Sequence, residues 1–298
     1  MYCSVRDCMV AIDEFASPVE GMRHLGVDAV EIALSDNLEV YAMDSKATLK
    51  LASDADARAY RKHLDALGIR PTSFLTACDF SVGDMASNAA WIARSIELAD
   101  ILGMPAVRID SAMHRERELD FETRVEIFAR GLGEALERTK GSKVALGIEN
   151  HGYQGNNLAF QLNVYKSVGA DRLGSTMDTG NFYWRGYPLS EVYGILRILA
   201  PYAKHTHLKN IKYPKDRREV MREGGWKYDE YVAPIAEGDI DHCKVVRILA
   251  EAGYHGDICL EDESLGHFHP GEARVKVLEQ DIAYIKSAIA AAGKTQPK

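Results

Sequence analysis

Two hydrophobic periods trade places along this chain. Short apolar runs rich in β-branched residues occur at residues 8–12 (CMVAI), 27–34 (VDAVEIAL), 69–75 (IRPTSFL), 105–110 (PAVRID), 143–149 (KVALGIE), 172–178 (RLGSTMD), 204–209 (KHTHLK) and 257–261 (DICLE). Runs of that length and composition predict strands. After each of them, apolar residues recur every three to four positions, over residues 17–26, 53–68, 84–103, 121–141, 158–169, 188–201, 241–253 and 271–293, which is the period of an amphipathic helix. Gly26, Gly68, Gly103, Gly141, Gly169 and Gly253 read as left-handed stops, and Ser17 and Ser53 as caps whose hydroxyls take up free amides. This alternation, with no Pro- or Ser-rich linker, predicts one domain over residues 1–298. The fold class is α/β, a parallel (β/α)8 barrel with outer helices. A doubly wound open sheet also alternates in this way. The 298 residues suit a barrel, which typically takes about 250.

The polar residues that end the apolar runs change the picture from fold to site, because a barrel of this kind builds its active site where the strands end. KVALGIEN carries Glu149, RLGSTMD ends in Asp178, KHTHLK carries His207 and DICLE ends in Glu261. Glu149 to Asp178 is 29 residues and Asp178 to His207 is 29 again, while Glu261 follows after 54. One strand-helix unit accounts for each short interval and one unit plus an insertion for the long one, so the four side chains meet over the barrel mouth on closure. Three carboxylates and an imidazole held that close repel unless a cation joins them. Oxygen-rich ligation with one nitrogen and no thiolate points to one divalent metal, Mn²⁺ first, with Mg²⁺, Co²⁺, Fe²⁺ or Zn²⁺ also compatible. For any one of the four, a strand-end acid satisfied by a helix terminus or salt bridge is the competing explanation.

Charge narrows the partners. Thirty-six Lys and Arg against 44 Asp and Glu leave a net charge of −8, so neither nucleic acid nor an anionic membrane is expected. The five cysteines are scattered without a C-x-x-C, the pattern of a reduced compartment. There is no apolar run of 18 residues and no leader-like segment, so a cytoplasmic protein is expected.

LGIENHG, STMDTGNF, HTHLKN and APIAEGDIDHCKVVRILAEAGYHGDICLEDE resemble the xylose isomerase-like TIM-barrel proteins, the sugar phosphate isomerase/epimerase group. The resemblance covers most of the chain and is densest after residue 143. It implies a single TIM barrel with Glu149, Asp178, His207 and Glu261 as metal ligands. It also implies Glu149 and Glu261 as the proton-transfer pair of a sugar isomerase or epimerase, and a homodimer or homotetramer. Removing a proton beside a carbonyl needs a base at carbon and a Lewis acid at oxygen. A cis-enediolate of a small keto-sugar then serves epimerisation and aldose–ketose exchange alike. The same enolate-stabilising site serves a lyase, dehydratase or decarboxylase acting on a keto-acid or oxidised sugar. A non-catalytic sugar-binding subunit is a third reading, which intact ligands disfavour.

Further residues follow. Arg108 and Asp110 end the fourth run in phase, Arg108 being either a substrate contact or half of an ion pair. His151 contacts a substrate hydroxyl or the back of a ligand, or is a plain loop histidine. Lys209 steadies an enediolate oxygen or pairs with a carboxylate, and His205, one layer deeper, backs a ligand or is a satisfied core histidine rather than a ligand itself. Tyr153, Trp184 and Trp226 sit where an aromatic wall for a sugar face is expected, or simply pack loops. Residues 212–238 are too long for an ordinary connection and predict a lid or a contact loop between subunits. Two departures matter. Many ketose 3-epimerases carry D-x-x-H where this chain has Asp178 and Asn181, which leaves Asn181 as a substrate contact. They also carry an arginine soon after the metal-binding histidine, where LKNIKYP has none. The DNA-repair endonucleases of this fold need many extra histidines, absent at Asn181, GDID and SFLTACDF.

Overall fold

In the computed structural model, which describes residues 1–169 and 171–293, eight parallel strands among the described residues curl into a nearly closed barrel. The last five residues of the expected 1–298 domain lie outside the described residues. The strands are β1 (Tyr2–Arg6), β2 (Ala29–Ala33), β3 (Arg70–Thr76), β4 (Ala106–Ile109), β5 (Ala145–Glu149), β6 (Leu173–Asp178), β7 (Ala203–His207) and β8 (Asp257–Leu260). Each is followed by an outer helix: α1 (Pro18–Leu25), α2 (Asp54–Leu67), α3 (Met85–Leu102), α4 (Phe121–Arg138), α5 (Leu158–Val168), α6 (Leu189–Leu199), α7 (His242–Glu251) and α8 (Glu272–Gly293). The barrel is therefore the arrangement adopted, not the open sheet.

The helix boundaries follow from caps. Ser17 and Ser53 accept from the amides of Glu20 and Asp56. Gly26, Gly68, Gly103 and Gly169 take φ of 63°, 74°, 70° and 64°, values a side chain resists. Gly141 is a correction. It has no positive φ, and α4 stops earlier at Thr139, whose hydroxyl turns back 2.9 Å onto the Ala135 carbonyl.

The first strand is a second correction. CMVAI is not a strand: Asp7–Val10 forms a helical turn, and the strand is the preceding YCSVR. Its register pairs Tyr2 with Asp257 and Val5 with both Leu260 and Val30. Ser4 and Arg6 point into the barrel, which erases the apolar run that would mark a strand. The apolar run that follows instead packs Val10 beside Phe15 and the bare face of Gly21.

Barrel interiors are usually filled by branched apolar side chains, and this one is not. Outward positions such as Val30, Ile32, Leu146, Ile148, Ile258 and Leu260 are buried under the helices, each worth roughly 1.5–3 kcal/mol. Inward positions include Ser4, Glu31, Arg108, Glu149, Thr176, Asp178, His205, His207 and Asp257, all buried.

Seven strand pairs form ladders. The eighth, between β7 and β8, is a seam with one bridge, Leu208 to Leu260. There the Thr206 hydroxyl donates to the Asp257 carbonyl at 3.0 Å and accepts from the Cys259 amide at 3.2 Å, standing in for the missing rungs.

The long segment between β7 and α7 is folded. Asn210–Ile211 pairs antiparallel with Val232–Ala233. The Asn210 side chain ties its base to the Ile235 and Ile240 carbonyls. Arg222 lies over the rings of Tyr183 and Tyr213 and donates to the Tyr183 and Tyr187 carbonyls at 3.0 and 3.1 Å. No described helix is long and apolar enough to cross a membrane.

Candidate active site

Glu149, Asp178, His207 and Glu261 come together at the C-terminal ends of β5, β6, β7 and β8, all buried. One ligand atom from each lies within 4.8 Å of the others. Register explains the convergence, since Asp178 pairs directly with His207 across β6 and β7, and paired residues share a face.

Each of the four side chains is aimed by neighbours. Asp178 Oδ1 accepts from the amides of Gly180 and Asn181 at 2.8 and 2.6 Å, which turns Oδ2 toward the cluster. The Asn150 amide group grips the Asp178 backbone, donating to its carbonyl at 3.0 Å and accepting from its N–H at 2.8 Å. Glu149 Oε1 takes the Asn181 side-chain amide at 3.1 Å, and Oε2 takes the Arg108 guanidinium. Glu261 Oε1 takes Arg6. His207 presents Nε2 to Glu31 Oε2 at 2.8 Å, leaving Nδ1 3.3 Å from Glu261 Oε2 and 3.5 Å from Glu149 Oε2.

A second polar storey lies beneath. Glu31 Oε1 is 2.9 Å from His205 Nε2, and His205 Nδ1 is 2.9 Å from Asp257 Oδ1. Asp257 also receives the Ser4 hydroxyl at 2.7 Å and the Tyr254 hydroxyl at 3.1 Å.

Burial disfavours every charge here, and the balance differs by residue. Burial pushes the Glu149 carboxyl up, but Arg108 and His207 outweigh it and hold it well below the usual range. Burial likewise raises Glu261, yet Lys209, His207 and Arg6 hold it at about 2. Asp178 moves the other way: burial, joined by Glu261 and Glu149, pushes it up against the pull of Lys209. Burial would lower His207, and Glu31, Glu261 and Glu149 push it up to about 10.

The residues present fit a divalent cation. Asp178 Oδ2, His207 Nδ1 and Glu261 Oε2 are buried and have no hydrogen-bond partner among the described residues. They are one atom from each of three of the four clustered side chains. Such orphans are costly in a protein interior, and a cation bound among them removes that cost. Upward pressure on both Asp178 and His207 marks the same deficit of positive charge.

The remaining expected residues fall as follows. Arg108 is an ion pair with Glu149, with Asp110 Oδ2 at 3.4 Å. His151 Nδ1 is 3.0 Å from Asp110 Oδ1 and its side chain is 46% exposed, open enough to meet a ligand. Asn181 holds Glu149. Lys209 Nζ stands 3.4 Å from Asp178 Oδ2, 3.2 Å from Glu261 Oε2 and 2.5 Å from Glu263 Oε1. Glu263 also receives the Tyr228 hydroxyl from the long segment. The aromatic residues do not form one wall. Tyr153 and Trp184 line a cavity of about 370 Å³ with Arg117 and Arg185, while Trp226 stacks on Tyr231 within the long segment.

Arg6, Glu31, Asn150 and Glu263 are site residues that the pattern of strand ends did not reveal. Arg6 lay outside the expected first strand. Glu31 had a signal: a charged residue inside the apolar run VDAVEIAL must be paired if that run is buried.

A family model described as xylose isomerase-like TIM barrel matches residues 19–288. The solved structure of an L-ribulose 3-epimerase superposes with a TM-score of 0.70 at 17% identity, over 99% of this chain and 96% of that one. That of the IOLI protein with a bound zinc atom gives 0.69 at 18%, over 100% of both chains. Mannonate dehydratase from Streptococcus suis serotype 2 gives 0.68 at 12%, over 100% and 97%. At these identities the likeness is one of fold. No sequence of a curated protein matches the chain.

Proposed function

The chain belongs to the xylose isomerase-like TIM barrel family, and from that premise we propose that it is a divalent-metal-dependent isomerase or epimerase of a small keto-sugar or sugar derivative. The observation that carries the reading is the set of orphaned ligand atoms on Asp178, His207 and Glu261 beside Glu149. These four residues would hold the metal, Mn²⁺ first, with Mg²⁺, Co²⁺, Fe²⁺ or Zn²⁺ compatible with the same donors. When bound, it supplies Lewis acidity to a carbonyl and its neighbouring hydroxyl oxygen.

The chain's own residues move the proton. Glu149, steered by Asn181 and Arg108, and Glu261, steered by Arg6, approach from strands separated by β6 and β7. They meet opposite faces of a substrate carbon. One, ionised, takes the proton next to the carbonyl and leaves an enediolate; it returns that proton to the neighbouring carbon, or the other glutamate, having first taken up a proton from solvent, delivers one to the opposite face. Their low carboxyl values leave either one ready to act as the base at neutral pH. Lys209 stands over Asp178 and Glu261, where an ammonium steadies charge developing on substrate oxygen. His151, open to the mouth, takes a substrate hydroxyl.

A second reading rests on Lys209, whose ammonium is 3.2 Å from Glu261 Oε2 and also pairs with Glu263, which receives the Tyr228 hydroxyl. A donor placed there protonates a departing hydroxyl and turns the same enediolate into a dehydration. The test is a Mn²⁺ titration of wild type and Glu149→Gln, followed by incubation with keto-sugars and sugar acids in D₂O. The isomerase reading expects metal binding by wild type and deuterium uptake without loss of mass, reduced about 10²–10⁴-fold in the variant. Loss of water from the product selects the dehydratase. A protein that neither binds metal nor exchanges a proton would falsify both.

A further inference from the structure

Glu31 lies behind His207, buried between two histidines with both oxygens engaged and with the Arg6 guanidinium 3.6 Å from Oε2. A carboxylate only accepts hydrogen bonds. His207 Nε2, 2.8 Å from Glu31 Oε2, therefore carries a proton, which leaves Nδ1 as the nitrogen turned to Glu149 and Glu261. Beneath it, His205 has an acceptor oxygen at 2.9 Å on either side, from Glu31 and from Asp257. It meets a carboxylate at each nitrogen and pins Glu31 between the two rings. Both rings are held by buried contacts to carboxylates, so neither exchanges its nitrogens without breaking one.

We propose that Glu31 is a positioning residue: anchored through His205 to Asp257, it commits Nε2 of His207 to hydrogen and Nδ1 to the cation, and so sets the affinity of the cluster for a divalent metal. The proposal rests on the metal reading above and goes beyond it, because it assigns the ligating atom and a residue three strands of the barrel away from it. Without the carboxylate, nothing ties Nε2, and the ring is no longer held with Nδ1 facing Glu261 Oε2 and Glu149 Oε2 at 3.3 and 3.5 Å.

The experiment compares wild type, Glu31→Gln and His205→Gln by calorimetric Mn²⁺ titration, by thermal melting, and by ¹⁵N-histidine NMR of the Zn²⁺-loaded protein. Expected are affinity losses of about 10–100-fold in Glu31→Gln and a smaller loss in His205→Gln. Wild type should show a far-downfield Nε2 proton on His207, absent in Glu31→Gln, with Nδ1 shifted by the metal. Wild-type affinity in folded Glu31→Gln, or Nε2 as the ligating atom in wild type, overturns the proposal. The NMR readout needs no variant to fold. Wild type that binds no Mn²⁺ removes the metal reading itself, a result distinct from unchanged affinity in the variant.

Discussion

Asn150 gives Asp178 what a neighbouring strand would give, one bond in each direction to its backbone, at the point where β6 ends. Asn150→Ala leaves a buried N–H and C=O unpaired, so urea denaturation should show a loss of about 2–3 kcal/mol, with weaker metal binding because Asp178 is no longer aimed. Asn150→Asp keeps the size but cannot donate, and adds a negative charge beside three others, so it should lose more. His242 offers a pH test. It is fully buried with Nε2 3.0 Å from the Thr179 hydroxyl, and burial lowers it from 6.5 to about 4. The folded chain keeps this ring neutral while the unfolded chain takes up a proton below about 6.5. Its contribution is therefore complete above that pH and is lost as pH falls toward 4, on the order of 3 kcal/mol in all. Urea midpoints should fall with acid over that window, and His242→Gln should flatten the slope. Single residues were legible where a charge ended an apolar run, as with Glu149 and Asp178. Asn150 and His242 were not, because their roles depend on which backbone lies across from them.

Elements were read by their outward faces. Helices α1 to α8 bury one apolar stripe each, and their limits lie within three residues of the expected ones. Strand β1 escaped because its inward positions serve the site rather than the core, which cancels the period that identifies a strand. The segment between β7 and α7 was legible as too long, but not as a folded piece held by Arg222 and Asn210. Its contact with the mouth is Tyr228 on Glu263. Tyr228→Phe should cost no more than about 1 kcal/mol of global stability, because the segment's own anchors remain. If the segment is a lid over the site, KM for the substrate found in the D₂O assay should rise several-fold. An unchanged KM would make it a contact loop instead.

For the whole molecule, the proposed cation would couple folding to binding at the polar barrel interior. Ligand that binds only the folded chain adds about 2.7 kcal/mol at one hundred times its Kd, which for a chain of this size raises Tm by about 4 °C. Thermal melts with Mn²⁺ and with a chelator should bracket that difference, and overlapping melts would mean that the cluster does not hold the ion. The fold was legible because alternation repeats along the whole chain. The interior storey was not, since buried charge leaves no period to read. The seam between β7 and β8 then takes on a dynamic meaning. A barrel with seven full ladders and one bridged by Leu208, Leu260 and the Thr206 hydroxyl is expected to open first along that line, as a curled sheet would unroll from one edge. His207 lies on one side of the opening and Glu261 on the other, so the chain cannot unroll and keep its ligand set. A cation held by the four proposed ligands would therefore leave when the seam opens, and amide exchange along the seam should track loss of Mn²⁺ from the loaded protein.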